Sequence, residues 1–382
     1  MSDENERLRR WRLVLGEPAG EGTGVSLGGD DVRIDKALES LYDAQRGAGL
    51  GSSMPNVARW LGDIRTYFPS STVRVMQQDA LERLNLRQML LQPELLEVVE
   101  ADVHLVATLL SLSKVIPEKT RETARSVVRK VVQEVERRLR DRTVQAIRGS
   151  LNRATRTRRP RTNEIDWHRT IRANLHTYLP DRQTIIAERL IGYGRRRSAL
   201  RDIVLCVDQS GSMASSVVYA GIFGAVLASI PAVSTRMIVF DTEVVDLSED
   251  LQDPVDLLFG TQLGGGTDIA RALGYCQQVI TLPAQSILVL ITDCYEGGDS
   301  RVMLQRAADL VARGTQVICL LALNDRGAPS FDGKMAAQLA ALGIVTFACT
   351  PDLFPDMIAA AIQRQDLTIW AARNDIVTTY AA

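Results

Sequence analysis

From Asp202 onward the chain alternates two textures. Short, nearly continuous apolar runs (Ile203–Val207, Met237–Phe240, Ile287–Ile291, Val317–Leu323 and Ile344–Ala348) are separated by stretches of helical apolar spacing (Val217–Ile230, Ile269–Ile280, Val302–Ala312 and Met335–Leu342). A strand with no polar alternation is buried on both faces, and buried strands that alternate with helices pair in parallel. The pattern predicts an α/β domain whose parallel-rich sheet carries helices on both faces. Sites in such sheets form at the C-terminal strand ends, near the reversal of strand order.

The region upstream reads differently. Residues 1–30 are charged, then Gly-rich, and are expected to form a flexible lead. Residues 31–147 show helical spacing, broken by turn signals at Gly47 to Pro55 and Pro69 to Ser71, and predict an all-α region. Within it, Leu95, Val98, Val99, Val103, Val106, Leu109 and Leu110 suggest one amphipathic helix of about five turns. Pro117 and Glu118 open a second helix toward Ile147, with Val127, Val128, Val131, Val132, Val135 and Leu139 as its buried stripe. Residues 148–200 form an Arg-rich connector with a short helix near Trp167, and the α/β domain occupies 201–382.

A net charge of −1 conceals an asymmetry. Residues 137–197 hold 17 Arg against 5 acidic residues, whereas 202–382 hold 9 basic against 20 acidic. The Arg-rich strip, with Arg156, Arg158, Arg159 and Arg161 at its centre, has three readings: a solvated linker, a docking strip for an acidic partner, or a phosphate-binding segment. The chain lacks the aromatic interleaving and zinc spacings of common nucleic-acid modules, which argues against the third.

No uninterrupted apolar run reaches membrane-spanning length, and the opening MSDENERLRR lacks the apolar core of a secretory signal. The five cysteines (Cys206, Cys276, Cys294, Cys319 and Cys349) are widely spaced without a CxxC pair. They read as buried thiols of a cytoplasmic protein, not as a disulfide framework or zinc site. Cys294, next to Asp293, is also weighed as a reactive thiol facing the strand-end loops.

The chemistry concentrates at predicted strand ends. The run IVLCV ends in Asp208-Gln209-Ser210-Gly211-Ser212, a D-x-S-x-S loop in which Gly211 is expected to permit a tight turn. The loop GGGTD places Thr267 just before a helix for which Asp268 is the expected N-cap. The run ILVLIT leads into Asp293. Three hydroxyls and two carboxylates are hard oxygen donors, suited to Mg²⁺ or Mn²⁺ rather than zinc. Neutral hydroxyls leave the charge of a bound cation partly uncompensated, so an open position could accept a carboxylate from another protein. The plainer alternative is that these are ordinary strand-end capping residues. Glu296, in DCYEGGD, reads as a solvated loop carboxylate or as a residue that tunes the site.

This combination resembles the metal-ion-dependent adhesion site of von Willebrand factor A domains, over some 160 to 180 residues from Asp202 onward. The resemblance implies a Rossmann-like fold with Ser210, Ser212 and Thr267 as direct ligands, and Asp208 and Asp293 holding the site mainly through waters. It places Gln209, Gly266 and Glu296 near a partner. VDQSGSM, TQLGGGTDI, TDCYEGG and TPDLFPD further resemble the bacterial CoxE-like proteins found with MoxR-type AAA+ ATPases. That implies a chaperone-like adaptor that helps such an ATPase remodel or activate a client.

Several enzyme classes are disfavoured. His104, His168 and His176 all lie outside the α/β domain, which argues against a Ser or Cys triad. No GxxxxGK[ST] is present, so any ATP would be hydrolysed by another chain. The expectation is a non-enzymatic, Mg²⁺-dependent (or Mn²⁺-dependent) protein-binding adaptor. The alternatives are a metal-dependent hydrolase and a nucleic-acid-linked scaffold that uses the Arg strip.

Overall fold

The computed structural model describes residues 3–15, 26–42, 54–83, 90–93, 96, 99–154, 156–157, 165–193, 201–231, 233–261, 264–323 and 330–379. The chain divides into two compact units, Met1–Val131 and Val132–Ala382.

The first unit is helical: α1 (Asp3–Leu15), α2 (Asp30–Tyr42), α3 (Met54–Tyr67), α4 (Ser70–Arg83), α5 (Val103–Ser111) and the start of α6 (Glu118–Ala154). Ala37, Leu41, Val57, Trp60, Leu61, Ile64, Val73 and Met76 are buried in it. The Trp60 indole donates to the Ala37 carbonyl at 2.9 Å, so the largest of these side chains is buried with its polar atom satisfied.

Two helix expectations are corrected here. Residues 3–15 form α1, not a flexible lead, and ion pairs Arg9–Asp31 (2.5 Å) and Arg12–Asp35 (3.1 Å) tie it to α2. The helix assigned to 95–110 is interrupted: Leu96 is helical, residues 99–102 are not, and a separate helix starts at Val103. Asp102 has extended backbone and caps it by accepting from the Leu105 N–H at 2.7 Å.

In the second unit, α6 continues to Ala154, so the first part of the Arg-rich connector is helical. Arg138–Asp352 (3.8 Å) and Arg142–Asp356 (2.6 Å) join it to the α/β domain. These pairs are exposed and worth at most about 1 kcal/mol each. A small module follows. Strand β1 (Arg156–Thr157) pairs antiparallel with β4 (Gly192–Tyr193). Between them lie α7 (Trp167–Ala173) and the hairpin of β2 (Tyr178–Leu179) and β3 (Thr184–Ile185).

The main sheet has the order β10-β9-β8-β5-β6-β7, where β5 is Arg201–Asp208, β6 Val233–Phe240, β7 Val244–Asp246, β8 Ser286–Ile291, β9 Gln316–Leu323 and β10 Val345–Cys349. All neighbours are parallel except β6 and β7. The five anticipated apolar runs are the five parallel strands. Strand β7, an antiparallel edge with Val245 exposed, was not anticipated.

Side chains alternate across the sheet. Val204, Cys206, Ile238, Phe240, Leu288 and Leu290 face a core closed by α10 (Ile269–Val279), α11 (Ser300–Ala312) and α12 (Gly333–Ala341). On the other face α8 (Ala214–Ala228) packs against Leu205 and Met237, and its Phe223 ring lies 4.4 Å from that of Phe354 on α13 (Phe354–Ile362). The short α9 (Pro254–Gly260) packs on α8, and α14 (Leu367–Arg373) follows α13.

By length and mean hydropathy, Gly211–Ala228 would suffice to cross a membrane. Two thirds of it (67%) is buried inside the domain, where it serves as a core helix. The chain passes from β5 to β6 on one side, then crosses back to β8 on the other. The strand order therefore reverses beside β5, at the C-terminal ends of β5 and β8.

Candidate metal centre

Asp208 is the last residue of β5 and is fully buried. Both its oxygens are used: Oδ1 accepts from the Ser210 N–H and Oδ2 from the Thr292 hydroxyl, each at 2.8 Å. The Asp208–Ser210 bond folds the D-x-S-x-S loop back on itself. Burial pushes the Asp208 carboxyl above its ordinary range, and the hydrogen bonds to Ser210 and Thr292 oppose the rise.

Asp293 lies two residues past the end of β8 and is 4% exposed. It accepts from the Ser212 hydroxyl at 2.5 Å, and the Ser210 and Ser212 hydroxyl oxygens are 3.2 Å apart. The β5 and β8 ends thus bring two hydroxyls and a carboxylate into one chain of contacts.

The third loop is attached through its backbone. Gly264 N–H donates to the Gln209 carbonyl (3.0 Å), Asp268 N–H to the Asp241 carbonyl (2.8 Å), and Gly297 N–H to the Thr267 carbonyl (2.8 Å). Thr267 is thereby fixed between the loops after β6 and β8, half-buried. Gly265 needs glycine, with φ of +134° and the Asp241 carboxylate against its open side. At Gly297 a Cβ would fall 2.7 Å from the Thr267 carbonyl oxygen. Gly297→Ala should therefore part these loops. We expect a loss of about 1–3 kcal/mol by thermal denaturation, together with weaker divalent-metal binding in calorimetry.

Several residues differ from their sequence reading. Gly211 has φ outside the left-handed region and open space around it, so the turn does not require glycine there. Glu296 is not a solvated carboxylate: Oε2 accepts from Ile269 N–H (2.8 Å) and Oε1 from Gly298 N–H (2.9 Å). Half-buried, with its carboxyl pushed up by burial, it braces the start of α10 beside the Asp268 cap. Gln209 is 4% exposed and so turned away from any partner, whereas Gly266 is exposed. Cys294 adopts a positive φ of 66° and packs its thiol 3.7 Å from that of Cys319 in the core, not toward the loops. The Cys319 contact and burial push that thiol far up, which removes the reactive-thiol reading. Arg156 contributes its backbone to β1, and Arg158, Arg159 and Arg161 lie outside the described residues. Thr292 escaped the sequence reading, although a hydroxyl directly before the strand-end Asp293 was its available signal.

The donor set suits a hard divalent cation. Asp208 and Asp293 are buried carboxylates with no Lys or Arg partner among the described residues, beside hydroxyls that converge on them. Two nearly dry anions without a counter-ion are costly, and a cation seated on the hydroxyls would offset that cost. No cluster of three His, Cys, Asp or Glu that could hold a metal ion occurs among the described residues.

A mostly parallel sheet with this loop set at its switch point defines a von Willebrand factor A domain, a class that generally binds a divalent metal here. The family model described as "VWA domain containing CoxE-like protein" matches residues 135–358, and the chain belongs to that family. The match begins within α6, well before Arg201. The uncharacterized protein YehP of Escherichia coli K12 is 35% identical over 366 residues, covering 93% of this chain and 97% of YehP. Among solved structures, BatB of Bacteroides thetaiotaomicron is 16% identical, covering 45% of this chain and 99% of BatB, with a TM-score of 0.33. A von Willebrand factor type A protein of Catenulispora acidiphila is 12% identical, covering 43% and 42%, also with a TM-score of 0.33.

Proposed function

We propose that this chain is a non-enzymatic, metal-dependent protein-binding adaptor. Ser210, Ser212 and Thr267 would hold Mg²⁺ or Mn²⁺ through their hydroxyls, with Asp208 and Asp293 behind them. A bound divalent ion supplies positive charge and an open position for a carboxylate of a partner. Asp208 orders the D-x-S-x-S loop, Asp293 orients the Ser212 hydroxyl, and Glu296 and Gly297 keep the Thr267 loop in place.

The observation that carries this reading is the Ser210–Ser212–Asp293 contact chain beside the fully buried, doubly bonded Asp208. It also weighs against the hydrolase alternative. Both oxygens of Asp208 already accept hydrogen bonds from the protein, and Asp293 accepts from Ser212 and, at 3.4 Å, from Tyr295 N–H. Both carboxylates are thus engaged in positioning the loops, and no histidine lies in the α/β domain to serve as a base beside them. Its place would be in the cytoplasm, beside a MoxR-type AAA+ ATPase and a client, as the resemblance of the strand-end loops to CoxE-like proteins implies.

The experiment is capture of that ATPase from native extract on the immobilised chain. Recovery is expected with Mg²⁺, and not with EDTA or on the Asp208→Ala variant. Equal recovery in all three would sink the metal-dependent mechanism.

A further inference from the structure

The 202–382 region is acidic, yet three of its nine basic residues line one open trough of about 550 Å³ between α10 and α11: Arg271, Arg306 and Arg313. Arg271 is already neutralised, donating to the Glu243 carboxylate at 2.9 Å and to the Thr242 carbonyl at 2.7 Å. The other acid at this rim, Asp246, accepts from the Tyr275 hydroxyl at 3.0 Å. Arg306 and Arg313 have no carboxylate partner among the described residues.

Arg306 is held in place against α10. Its Nη1 donates to the Ala270 carbonyl at 2.5 Å, and the Gln277 amide donates to the Arg306 carbonyl at 3.1 Å. Its guanidinium lies against α10 where that helix has Gly274. A Cβ at this position would sit 2.8 Å from the Arg306 Cζ and closer still to Nη1. Glycine inside a helix costs about 1 kcal/mol relative to alanine, so α10 carries a weakening residue at the point where the guanidinium must fit.

The spacing indicates the ligand's form. Arg306 and Arg313 are two helical turns apart, about 10 Å along the axis. On a chain extended as a polyproline II helix, side chains three residues apart lie on one face about 9 Å from each other, close to the same distance. A single phosphate group does not bridge that gap, and an open trough suits a chain passing along it. We propose that this trough binds an extended acidic peptide segment of a partner protein, with Asp or Glu side chains about three residues apart, independently of the metal centre.

The test is fluorescence anisotropy of a labelled hexaglutamate peptide on the full chain. It is run in EDTA at near-physiological salt, which screens weak long-range attraction. The wild type should bind it and leave a Gly-Ser peptide free. The double variant Arg306→Gln, Arg313→Gln should bind about tenfold more weakly or worse, since each charged hydrogen bond is a strong contributor. Gly274→Ala should also weaken binding while the melting temperature is unchanged or raised, which separates a displaced guanidinium from a damaged fold. Unchanged affinity in both variants overturns the proposal, as does a loss seen only on neutralising Arg156, Arg158, Arg159 and Arg161. Tripolyphosphate binding with the same variant dependence, in the absence of peptide binding, overturns it as well.

Discussion

Replacing Asp208 with Asn is expected to weaken divalent-metal binding by roughly a hundredfold or more while leaving the domain folded. The amide oxygen can still accept from the Ser210 N–H, and the Thr292 hydroxyl can rotate to accept from the new amide hydrogens. Only the charge is lost. A unit charge within about 5 Å of another, at an effective dielectric near 20, is worth about 3 kcal/mol. Without metal the variant should melt at or above the wild-type temperature, because Asp208 is a buried carboxylate penalised by desolvation. Adding Mg²⁺ at about 100 times its dissociation constant should stabilise the wild type by about 2.7 kcal/mol. In a domain of this size that is roughly 5–10 °C, and the variant should keep at most about 0.4 kcal/mol of it, about 1 °C. A thermal-shift titration checks both halves. A wild type indifferent to Mg²⁺, or a variant that keeps the shift, would contradict the assignment.

Phe223→Ala is expected to produce the largest loss of stability, about 3–5 kcal/mol. Phe223 is fully buried on α8, and its ring meets that of Phe354 at 4.4 Å, which joins two helices on one face of the sheet. Alanine removes the ring, the ring–ring contact and the filling between α8 and α13. Urea denaturation should show a lower midpoint, and Phe223→Leu a smaller drop because it keeps more of the volume. Because α8 begins just after the D-x-S-x-S loop, metal binding should persist below the new transition and vanish with it. The two variants thus act oppositely: one removes the metal response and spares the fold, the other lowers stability and spares the ligands.

The parallel strands were legible because strands buried on both faces leave no polar residues in their runs, as in IVLCV and ILVLI. Edge strand β7 was not, since Val245 and Asp246 face solvent and present no such run. The helix start at Val103 was readable from Asp102, but apolar residues at 95–99 continued the same spacing and masked the cap. Helix α1 has little apolar surface, and its anchors Asp31 and Asp35 lie more than 20 residues away, so no local pattern reports them. In the site, Asp208, Ser210, Ser212 and Asp293 came together as their order at strand ends implied. The bracing by Thr292 and Glu296 depends on contacts across 84 and 27 residues, which spacing alone does not encode.

The most direct measurement is anomalous diffraction at the manganese edge from crystals of the full chain grown with Mn²⁺. One strong peak is expected within coordination distance of the Ser210, Ser212 and Thr267 hydroxyl oxygens, with Asp208 and Asp293 behind them. Ordered loops without a peak there, or manganese bound only elsewhere, would contradict the metal assignment.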